Sequence, residues 1–277
     1  MTIDSKEQII QAFEQLERGM NGMASSQLHQ VRKQALETFK ASDFPTTKHE
    51  EWKYTNVSKI LSTEFDLEKA GELTAEIVAK HSFDGLEADT LVFVNGNFRL
   101  DLSAISEQAG ITVSNLKKAY ASHSAVIDQH FGKYAQSEES TFTALNTSLA
   151  TDGAFVKVEK SNAIERPILL LFFADATNSN AISQPRNLIL AEENSQASVI
   201  ERFITLGEGK SFTNIVTEIH VEKNAIVNHY KLQSDAENNS HIGTTQVQQE
   251  GNSHFANTTI TMGGGLVRND LNVALNG

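Results

Sequence analysis

Cysteine is absent from this chain of 277 residues. Its absence excludes disulfides, a nucleophilic thiol and any metal cluster held by thiolates of this chain. Because there is no cysteine at all, disulfide usage says nothing about the redox compartment. Any metal chemistry of this segment must therefore do without thiolate ligands of its own.

Long apolar runs and an excess of positive charge are also lacking. No run of about 18 uncharged apolar residues is present, so we expect no membrane-spanning helix. The first seven residues, MTIDSKE, lack the basic and apolar segments of a signal peptide. The 23 basic and 35 acidic residues give a net charge of −12, which opposes binding to nucleic acid and to anionic membranes. These features predict a cytoplasmic protein with neither nucleic acid nor a membrane as a partner.

The first third of the chain has helical periodicity. Asp4, followed by Glu7 three residues later, is typical of a helix start. A second helix is expected over about 26–40, and Phe44–Pro45 ends this pair because a residue before proline avoids helical geometry. The apolar positions that we expect to pack helix against helix are Ile9, Phe13, Leu16, Met20, Leu28, Val31, Ala35, Leu36 and Phe39.

From Leu91 the periodicity changes. The apolar run 91–94 is followed by Asn95–Gly96, a strong signal for a hairpin turn. Two further helices are expected at about 103–109 and 121–134. After Gly153 the chain is almost wholly β-like, with strands expected at 153–158, 168–173, 188–191, 198–204 and 215–221. In the last of these, alternating polar residues predict a strand with one buried face.

An internal repeat predicts the architecture. The turn EKSNAI at 159–164 recurs at 192–197, 222–226 and, in degraded form, 250–254. Its asparagines, which tolerate left-handed backbone geometry, are Asn162, Asn194, Asn224 and Asn252, separated by 32, 30 and 28 residues. Repeats of this length bury their apolar faces by stacking, which favours a parallel β-helix over a β-sandwich. We therefore predict a helical region over 1–80 and a β-helix core over 81–277.

Several strings across 140–277 are longer than the repeat alone requires. They are Ala144–Asn146, Asp152–Gly153, Glu165–Ile168, Pro185–Ile189, Glu192–Ser195, Val199–Glu201, Thr217–Ile219, His229–Gln233 and Leu266–Val273. They resemble the SufB/SufD family of the SUF iron–sulfur cluster assembly system, and the N-terminal region matches it more loosely. The segment FPTTKHEEWKY at 44–54 and the lack of cysteine make the chain more similar to the SufD branch.

The resemblance implies a mainly β protein with a right-handed parallel β-helix behind a small helical N-terminal region. It implies a non-catalytic scaffold subunit, with no catalytic, cofactor-binding or metal-binding residue assigned in this chain. The partners it implies are a SufB-type sister subunit, which receives sulfur, and a SufC-type ATPase. The iron–sulfur cluster is assembled transiently in the full complex, where this subunit supports assembly and iron entry.

The family continues past Gly277, so the resemblance predicts a chain shortened at its C-terminal end. We expect the last coil to be uncapped and to self-associate or pair with a neighbouring chain. Its inward-facing residues are predicted to be Val267, Leu271, Val273 and Leu275, and its outward-facing residues Arg268, Asp270, Asn272 and Asn276.

Two glycine-rich strings are interpreted as loops. Gly207–Ser211 contains Gly-Lys-Ser, but a phosphate-binding loop needs a glycine at the position of Ile204 and a helix afterwards. Gly263–Gly265 is likewise expected to be a flexible loop, since no helix is predicted after it.

Nine histidines raise the question of a metal site. His123 and His130 are seven residues apart, a poorer spacing for a shared ion than four. The strand histidines His220, His229, His241 and His254 could stack along one sheet. We expect none of them to be a native metal ligand. The only tryptophan, Trp52, is expected to anchor the junction between the helical region and the core.

A β-helix enzyme acting on carbohydrate is the alternative function. Such an enzyme needs carboxylates placed about a sugar bond, or acidic clusters that bind calcium. The acidic residues here lie mainly in the repeated turns, as Glu192, Glu193, Glu222 and Glu250 do. Repetition at turns indicates solenoid geometry more than chemistry.

Overall fold

A computed structural model describes residues 6–19, 25–66 and 71–277 of the chain. Its α-helices are α1 (Lys6–Arg18), α2 (Gln27–Ala41), α3 (Ser58–Leu61), α4 (Ala75–His81), α5 (Leu116–His130) and α6 (Thr141–Leu149). The two helices predicted first are α1 and α2, while Asp4 and Met20 fall outside the described residues. Ser26 caps α2 because its side chain accepts from the backbone N–H of His29. Within the described ranges, no helix has the length and apolarity needed to cross a membrane.

Thirteen strands are present in the described residues, and nearly all pair in parallel. They are β1 (Asp89–Val94), β2 (Asn97–Phe98), β3 (Ile111–Asn115), β4 (Ala154–Val158), β5 (Ile168–Asp175), β6 (Ala181–Ser183), β7 (Arg186–Ala191), β8 (Gln196–Leu206), β9 (Ser211–Val221), β10 (Ile226–Ser234), β11 (Asn239–Glu250), β12 (His254–Thr261) and β13 (Leu266–Asn276).

The strands form two sheets wound as a β-solenoid. One sheet has the order β12-β10-β8-β5-β1-β2 and the other β13-β11-β9-β7-β4-β3, with β6 beside β9. Only β1–β2 and β3–β4 are antiparallel among these pairs, and Asn95–Gly96 forms the predicted hairpin turn with both residues at positive φ. The predicted mainly β solenoid with N-terminal helices is confirmed. The right-handed winding of the solenoid and the domain boundary at residue 80 stay predictions.

In the first coils of the solenoid, the side chains that face the interior are apolar. The rings of Phe93, Phe172 and Phe203 lie one above another on β1, β5 and β8, with successive centroids 5.1 Å apart. Each parallel pairing repeats the same inward positions, so side chains of one type line up along the axis. The ring of His241, on β11 of the other sheet, meets Phe203 edge-on with the two centroids 4.7 Å apart, and here the interior becomes polar.

The repeated turn has a left-handed residue, but the predicted asparagine is wrong in the first copy. Asn194, Asn224 and Asn252 have φ of 59°, 59° and 57°, whereas in the first turn the residue at positive φ is Ser161, at 62°. The turns match in structure when they are aligned by their glutamates and not by their asparagines. In that alignment Asn162 corresponds to Ser195, and Ser161 corresponds to Asn194.

Two predictions between β1 and β4 need correction. The helix predicted at 103–109 is absent: Ala104 bridges to Thr90, and Ser106 and Gln108 donate hydrogen bonds to the carboxylate of Asp89. Short polar side chains that bond nearby groups compete with helix formation. The helix predicted at 121–134 is α5, which begins earlier, at Leu116.

Helix α6 was not predicted, and it changes the environment of β9. The residues of α6 from Phe142 onward are all buried, and four of them are serine, threonine or asparagine, which favour helices weakly, so the sequence carries no strong helical signal. Asn146 of α6 donates to the backbone carbonyls of Pro185 and Asn214. The single buried face predicted for 215–221 is therefore wrong, because the outer face of β9 is also covered.

The solenoid is exposed at β12 and β13. In register, Leu271, Val273 and Leu275 face the same way as Thr245, Val247 and Gln249 of β11, which is the predicted inward direction. They are nevertheless 45%, 41% and 73% exposed, because no described strand covers them. This end presents an apolar surface and unpaired backbone groups.

Candidate functional site

A column of polar side chains runs through the solenoid interior. Glu201 of β8 is paired in register with Lys231 of β10. On β10, His229 lies two residues before Lys231 and Gln233 two residues after it. Residues two apart in a strand share a face, so all four point into the interior. Each is at most 2% exposed. The parallel register thus concentrates ionisable groups where the first coils hold apolar ones.

Glu201 is the centre of this column. Its Oε1 accepts hydrogen bonds from Asn187 Nδ2 at 3.0 Å and from Thr217 Oγ1 at 2.6 Å. Its Oε2 lies 3.5 Å from Lys231 Nζ and 3.6 Å from His229 Nε2. Burial alone would raise the pKa of this carboxyl, but the nearby positive charges outweigh it and hold the pKa well below its usual range. Glu201 is therefore ionised and paired.

The column continues toward the exposed end. His229 Nδ1 lies 2.9 Å from Asn257 Oδ1 on β12. Gln233 Oε1 accepts from Thr261 Oγ1 at 3.0 Å and from Asn269 Nδ2 at 2.7 Å. Amide and hydroxyl groups thus link the last two strands to the buried ion pair.

His241 of β11 lies beside the column and is fully buried. Burial, with help from the charge of Lys231, lowers the pKa of its imidazole to about 3, so the ring is neutral at physiological pH. Its Nδ1 is 3.7 Å from Asp235 Oδ2, and neither ring nitrogen has a hydrogen-bond partner among the described residues.

This arrangement is suited to fixing the register of the coils. The charges of Glu201 and Lys231 neutralise each other, and both side chains are sealed from solvent. Within the part of the chain that the structure describes, no group of three or more His, Asp or Glu residues is arranged to hold a metal ion. A wrong register would place a buried charge opposite an apolar residue, which is costly.

A second buried ion pair lies on the outer face. Arg186 of β7 and Glu218 of β9 are both fully buried. Glu218 accepts from the backbone N–H groups of Gly132, Tyr134 and Ala135 at 2.8–2.9 Å. This pair fastens the segment after α5 to the solenoid wall.

The string Asp152–Gly153, one of those that carry the family resemblance, has a structural reason. A Cβ on Gly153 would lie 1.9 Å from the carbonyl oxygen of Arg186, so no side chain fits. The preceding Asp152 accepts from Asn115 Nδ2 and from the backbone N–H of Lys117. Burial raises the pKa of Asp152 in spite of these bonds. The Asp-Gly pair therefore joins α5 to the sheet.

Both glycine-rich strings lie in turns, as predicted. Gly207–Ser211 connects β8 to β9, with Gly207 at a φ of 81°, and a strand follows it instead of a helix. Gly263–Gly265 connects β12 to β13 in the same way. Neither has the strand–loop–helix context that phosphate binding requires.

The candidate histidines are dispersed over the molecule. His123 has a non-helical backbone inside α5 and its ring packs on Phe155. His130 and His220 pack against each other and against Tyr134, and His220 Nε2 is 3.5 Å from Glu250 Oε1. His254 is exposed at the start of β12. Of these histidines, His229 lies in the polar column and His241 lies beside it.

The turn carboxylates have structural partners. Glu192 accepts from the backbone N–H of Lys160 and pairs with Lys157 Nζ at 2.8 Å. Glu222 accepts from the backbone N–H of Glu193, one coil away. These contacts join successive turns of the solenoid.

Trp52 lies at the junction, where it was expected. Its ring stacks on Phe142 of α6 at 5.5 Å, and the guanidinium of Arg268 from β13 lies 4.1 Å from its centroid. Arg268 also donates to the backbone carbonyl of Glu51 at 2.6 Å. Trp52 therefore links the N-terminal segment to the solenoid.

Comparison with known proteins gives matches along nearly the whole chain. Residues 3–170 match the family model described as SufBD protein N-terminal region, and residues 172–277 match the SUF system FeS cluster assembly, SufBD core domain. The chain belongs to the SufBD family.

Curated relatives of this SufBD family member share about a quarter of its residues. An iron–sulfur cluster assembly SufBD family protein of Synechocystis is 28% identical over 91% of this chain and 57% of its own length. The iron–sulfur cluster assembly protein SufD of Escherichia coli is 25% identical over 88% of this chain and 55% of its own. SufD of Bacillus subtilis is 27% identical over 87% and 55%. The chain thus spans a little over half the length of these relatives.

The residues of the two buried ion pairs were not singled out from the sequence as a site. A signal was present, since Arg186, Asn187, Glu201, Glu218 and Lys231 all lie in strings that carried the family resemblance. A charged residue at an inward position of a strand is a hint of a buried partner. Its partner becomes visible only once the coil register is known.

Proposed function

We propose that this chain is a non-catalytic scaffold subunit of iron–sulfur cluster assembly, acting with a SufB-type sister subunit and a SufC-type ATPase. The observation that carries the proposal is the match of both SufBD family models across residues 3–277. Relatives named as SufD assembly proteins support the SufD role. A cytoplasmic location is part of the proposal.

The structure supports a scaffold role in two ways. The buried ion pairs and the turn contacts tie each coil to the next, which gives a rigid support. Glu201 and Lys231 of the interior are paired with each other and closed to solvent, so they offer no surface to a substrate. In this proposal the cluster is cargo of the complex, and ATP hydrolysis belongs to the SufC-type partner.

The exposed end of the solenoid is the surface that we propose for contact with another chain. Leu271, Val273 and Leu275 present apolar surface there, next to unpaired strand edges. A neighbouring chain that adds a coil would cover both. The same surface accounts for the expected self-association when no partner is present.

Co-purification tests the scaffold role. The tagged chain is co-expressed with a SufB-type subunit and a SufC-type ATPase, and full-length SufD of Escherichia coli serves as the positive control. The proposal predicts that the chain retains at least the SufB-type subunit through several washes. If the full-length relative recovers both partners and this chain recovers neither, the chain alone is not a scaffold subunit.

The proposed contact surface has its own test. Leu275→Glu places a charge on the exposed end, and Leu100→Glu does the same at another exposed leucine, 68% accessible, just after β2. Self-association in analytical ultracentrifugation is expected to fall with Leu275→Glu and to persist with Leu100→Glu. A wild-type chain that stays monomeric over a wide concentration range would refute self-association.

A further inference from the structure

One outer face of the solenoid is covered over only part of its width. A row of side chains in register crosses β5, β8, β10 and β12, and its members are Leu171, Arg202, Leu232 and Ile260. Leu232 follows the interior-facing Lys231, so the row lies on the outer face of the sheet. Exposure increases along it: Leu171 is fully buried, Arg202 and Leu232 are half-buried, and Ile260 is 46% exposed.

Helix α4 and the segment after it supply the cover over β5. Val78 of α4 belongs to one buried cluster with Leu171, and Phe83 packs against that cluster. The guanidinium carbon of Arg202 lies 4.6 Å from the centroid of the Phe83 ring. A helix with its side chains is about 10–12 Å wide and strands lie about 4.8 Å apart, so one helix covers about two strands. A second helix beside α4 would therefore cover β10 and β12.

The uncovered apolar side chains of these two strands form a surface that we call the outer patch. It consists of Tyr230 and Leu232 of β10, Ile260 of β12 and Met262, the residue after β12. All but Leu232 are more than a third exposed. An apolar sheet face is stable when another layer packs on it, and adjoining exposed apolar residues mark an interaction surface.

Arg202 stands at the border of the outer patch, and its charge is unpaired. Its guanidinium forms no ion pair or hydrogen bond with another described residue, and its Nε is closed to solvent. Burial lowers the pKa of Arg202, and no carboxylate of a described residue acts in the opposite direction. Two further basic residues, Lys80 and His81, lie in the last turn of α4. Burial, helped by the charges of Arg202 and Lys80, lowers the pKa of His81, so the border is cationic.

We propose that the outer patch binds an amphipathic helix of a partner protein, whose apolar side packs on β10 and β12 and whose carboxylate pairs with Arg202. A carboxylate can accept two parallel hydrogen bonds from a guanidinium and would satisfy the buried Nε. An unpaired charge that has lost hydration is costly, so an acidic partner is favoured over a neutral one. A basic helix would be repelled by Arg202 and Lys80. An anionic membrane is opposed by the net charge of −12.

The outer patch is distinct from the exposed end of the solenoid. It lies on the sheet that ends in β12, whereas Leu271, Val273 and Leu275 belong to β13 of the other sheet. Its inferred occupant follows from apolar surface and charge and not from a role in cluster assembly. Either proposal can therefore fail without the other.

Peptide binding to the full chain tests the outer patch. The probe is a synthetic, fluorescently labelled helix with leucine on one side and glutamate on the other, and the matched probe has lysine in place of each glutamate. Fluorescence anisotropy should show saturable binding of the glutamate peptide, weakened about tenfold or more by Arg202→Gln or by the lysine substitution. Arg202→Gln should fold, since it removes an unpaired charge. Lys223→Gln, at an exposed lysine in the turn before β10, is the control and should bind like the wild type.

The proposal is overturned if the glutamate peptide does not bind, if the lysine peptide binds equally well, or if Arg202→Gln leaves the affinity unchanged. Leu275→Glu should leave the affinity unchanged, and a loss there would place the peptide on the exposed end instead.

A single introduced cysteine locates the peptide, because the chain has no cysteine of its own. Thr258→Cys places an environment-sensitive fluorophore beside Tyr230, its partner in register. Its emission should shift when the glutamate peptide binds, whereas the same fluorophore at Leu100→Cys should not respond. A response at position 258 to phosphatidylglycerol vesicles, with none to the peptide, would assign the patch to a membrane and overturn the proposal.

Discussion

Arg186 Nη2 donates to Glu218 Oε2 across 2.7 Å between neighbouring strands, and neither side chain has any accessible surface. The guanidinium also donates to Thr147 Oγ1 of α6 and to the backbone carbonyl of Ala135. The pair therefore joins the solenoid wall, helix α6 and the segment before it.

Glu218→Gln should destabilise the chain strongly. Removing one partner leaves Arg186 as a buried charge without a counterion, which costs about 3–5 kcal/mol. Urea unfolding followed by circular dichroism measures the change in the free energy of unfolding. The double variant Arg186→Met/Glu218→Leu should recover part of the loss, but not all, because three backbone N–H groups also lose their acceptor.

The matched control is Glu14→Gln, which breaks the exposed pair of Glu14 with Arg18 on α1. Exposed pairs of this kind contribute a few tenths of a kcal/mol, so a change below about 0.5 kcal/mol is expected. Equal effects of the two substitutions would show that the buried pair does not hold the molecule together.

His241 should make the chain less stable in acid. Its folded pKa, about 3, lies below the unfolded value of 6.5, so the unfolded state binds a proton that the folded state does not. Stability from this group is complete above pH 6.5 and is lost as the pH falls toward 3. His241→Gln should reduce the slope of the free energy of unfolding against pH between 6 and 5 by about 1.4 kcal/mol per unit.

Urea unfolding at a series of pH values measures that slope. His254→Gln serves as the control because this ring is exposed on β12, and it is expected to behave like the wild type. An unchanged slope for His241→Gln would show that the buried ring is protonated in the folded chain.

Ser161→Gly and Asn162→Gly should have opposite effects. Ser161 has a φ of 62°, a conformation that a serine adopts at a cost and glycine adopts freely, so this change should stabilise by about 0.5–1 kcal/mol. Asn162 is not among the residues at positive φ, and its side chain donates to the carbonyls of Glu159 and Lys160. Glycine there should destabilise. Thermal unfolding compares the two, and stabilisation by Asn162→Gly would contradict the assignment of the turn.

Trp52 provides a probe of the junction, since it is the only tryptophan. Arg268→Ala removes the guanidinium above its ring and should shift its fluorescence emission to the red as water reaches the indole. The loss of the cation–π contact should also cost about 0.5–1 kcal/mol. Arg18→Ala, which removes an exposed guanidinium on α1 far in sequence from Trp52, is the control. An unshifted spectrum for Arg268→Ala would mean that Trp52 is shielded by Phe142 alone.

The repeated turns made the solenoid predictable from the sequence. Three of the four turns present an asparagine that adopts positive φ, and apolar runs of the right length lie between them. The first turn misled the asparagine count because serine fills its left-handed position. Helix α6 could not be found in the same way, since its serine, threonine and asparagine residues favour helices weakly and its residues from Phe142 onward are all buried.

The polar column could be predicted only in part. The string 229–233 places His229, Lys231 and Gln233 on one face of a strand by alternation alone. That Glu201 lies opposite Lys231 follows from the coil length between β8 and β10, which the turns indicate. The outer pair could not be inferred, because Arg186 and Glu218 meet under a segment whose position depends on α5 and α6.

Assembly of purified proteins tests the scaffold role most directly. The chain is mixed with a SufB-type subunit and a SufC-type ATPase, and the masses of the complexes are measured by native mass spectrometry, with Leu275→Glu and Leu100→Glu chains in parallel. The proposal predicts a species containing this chain and the SufB-type subunit, reduced by Leu275→Glu and kept by Leu100→Glu. Only free chain, under conditions in which full-length SufD of Escherichia coli assembles, would contradict it.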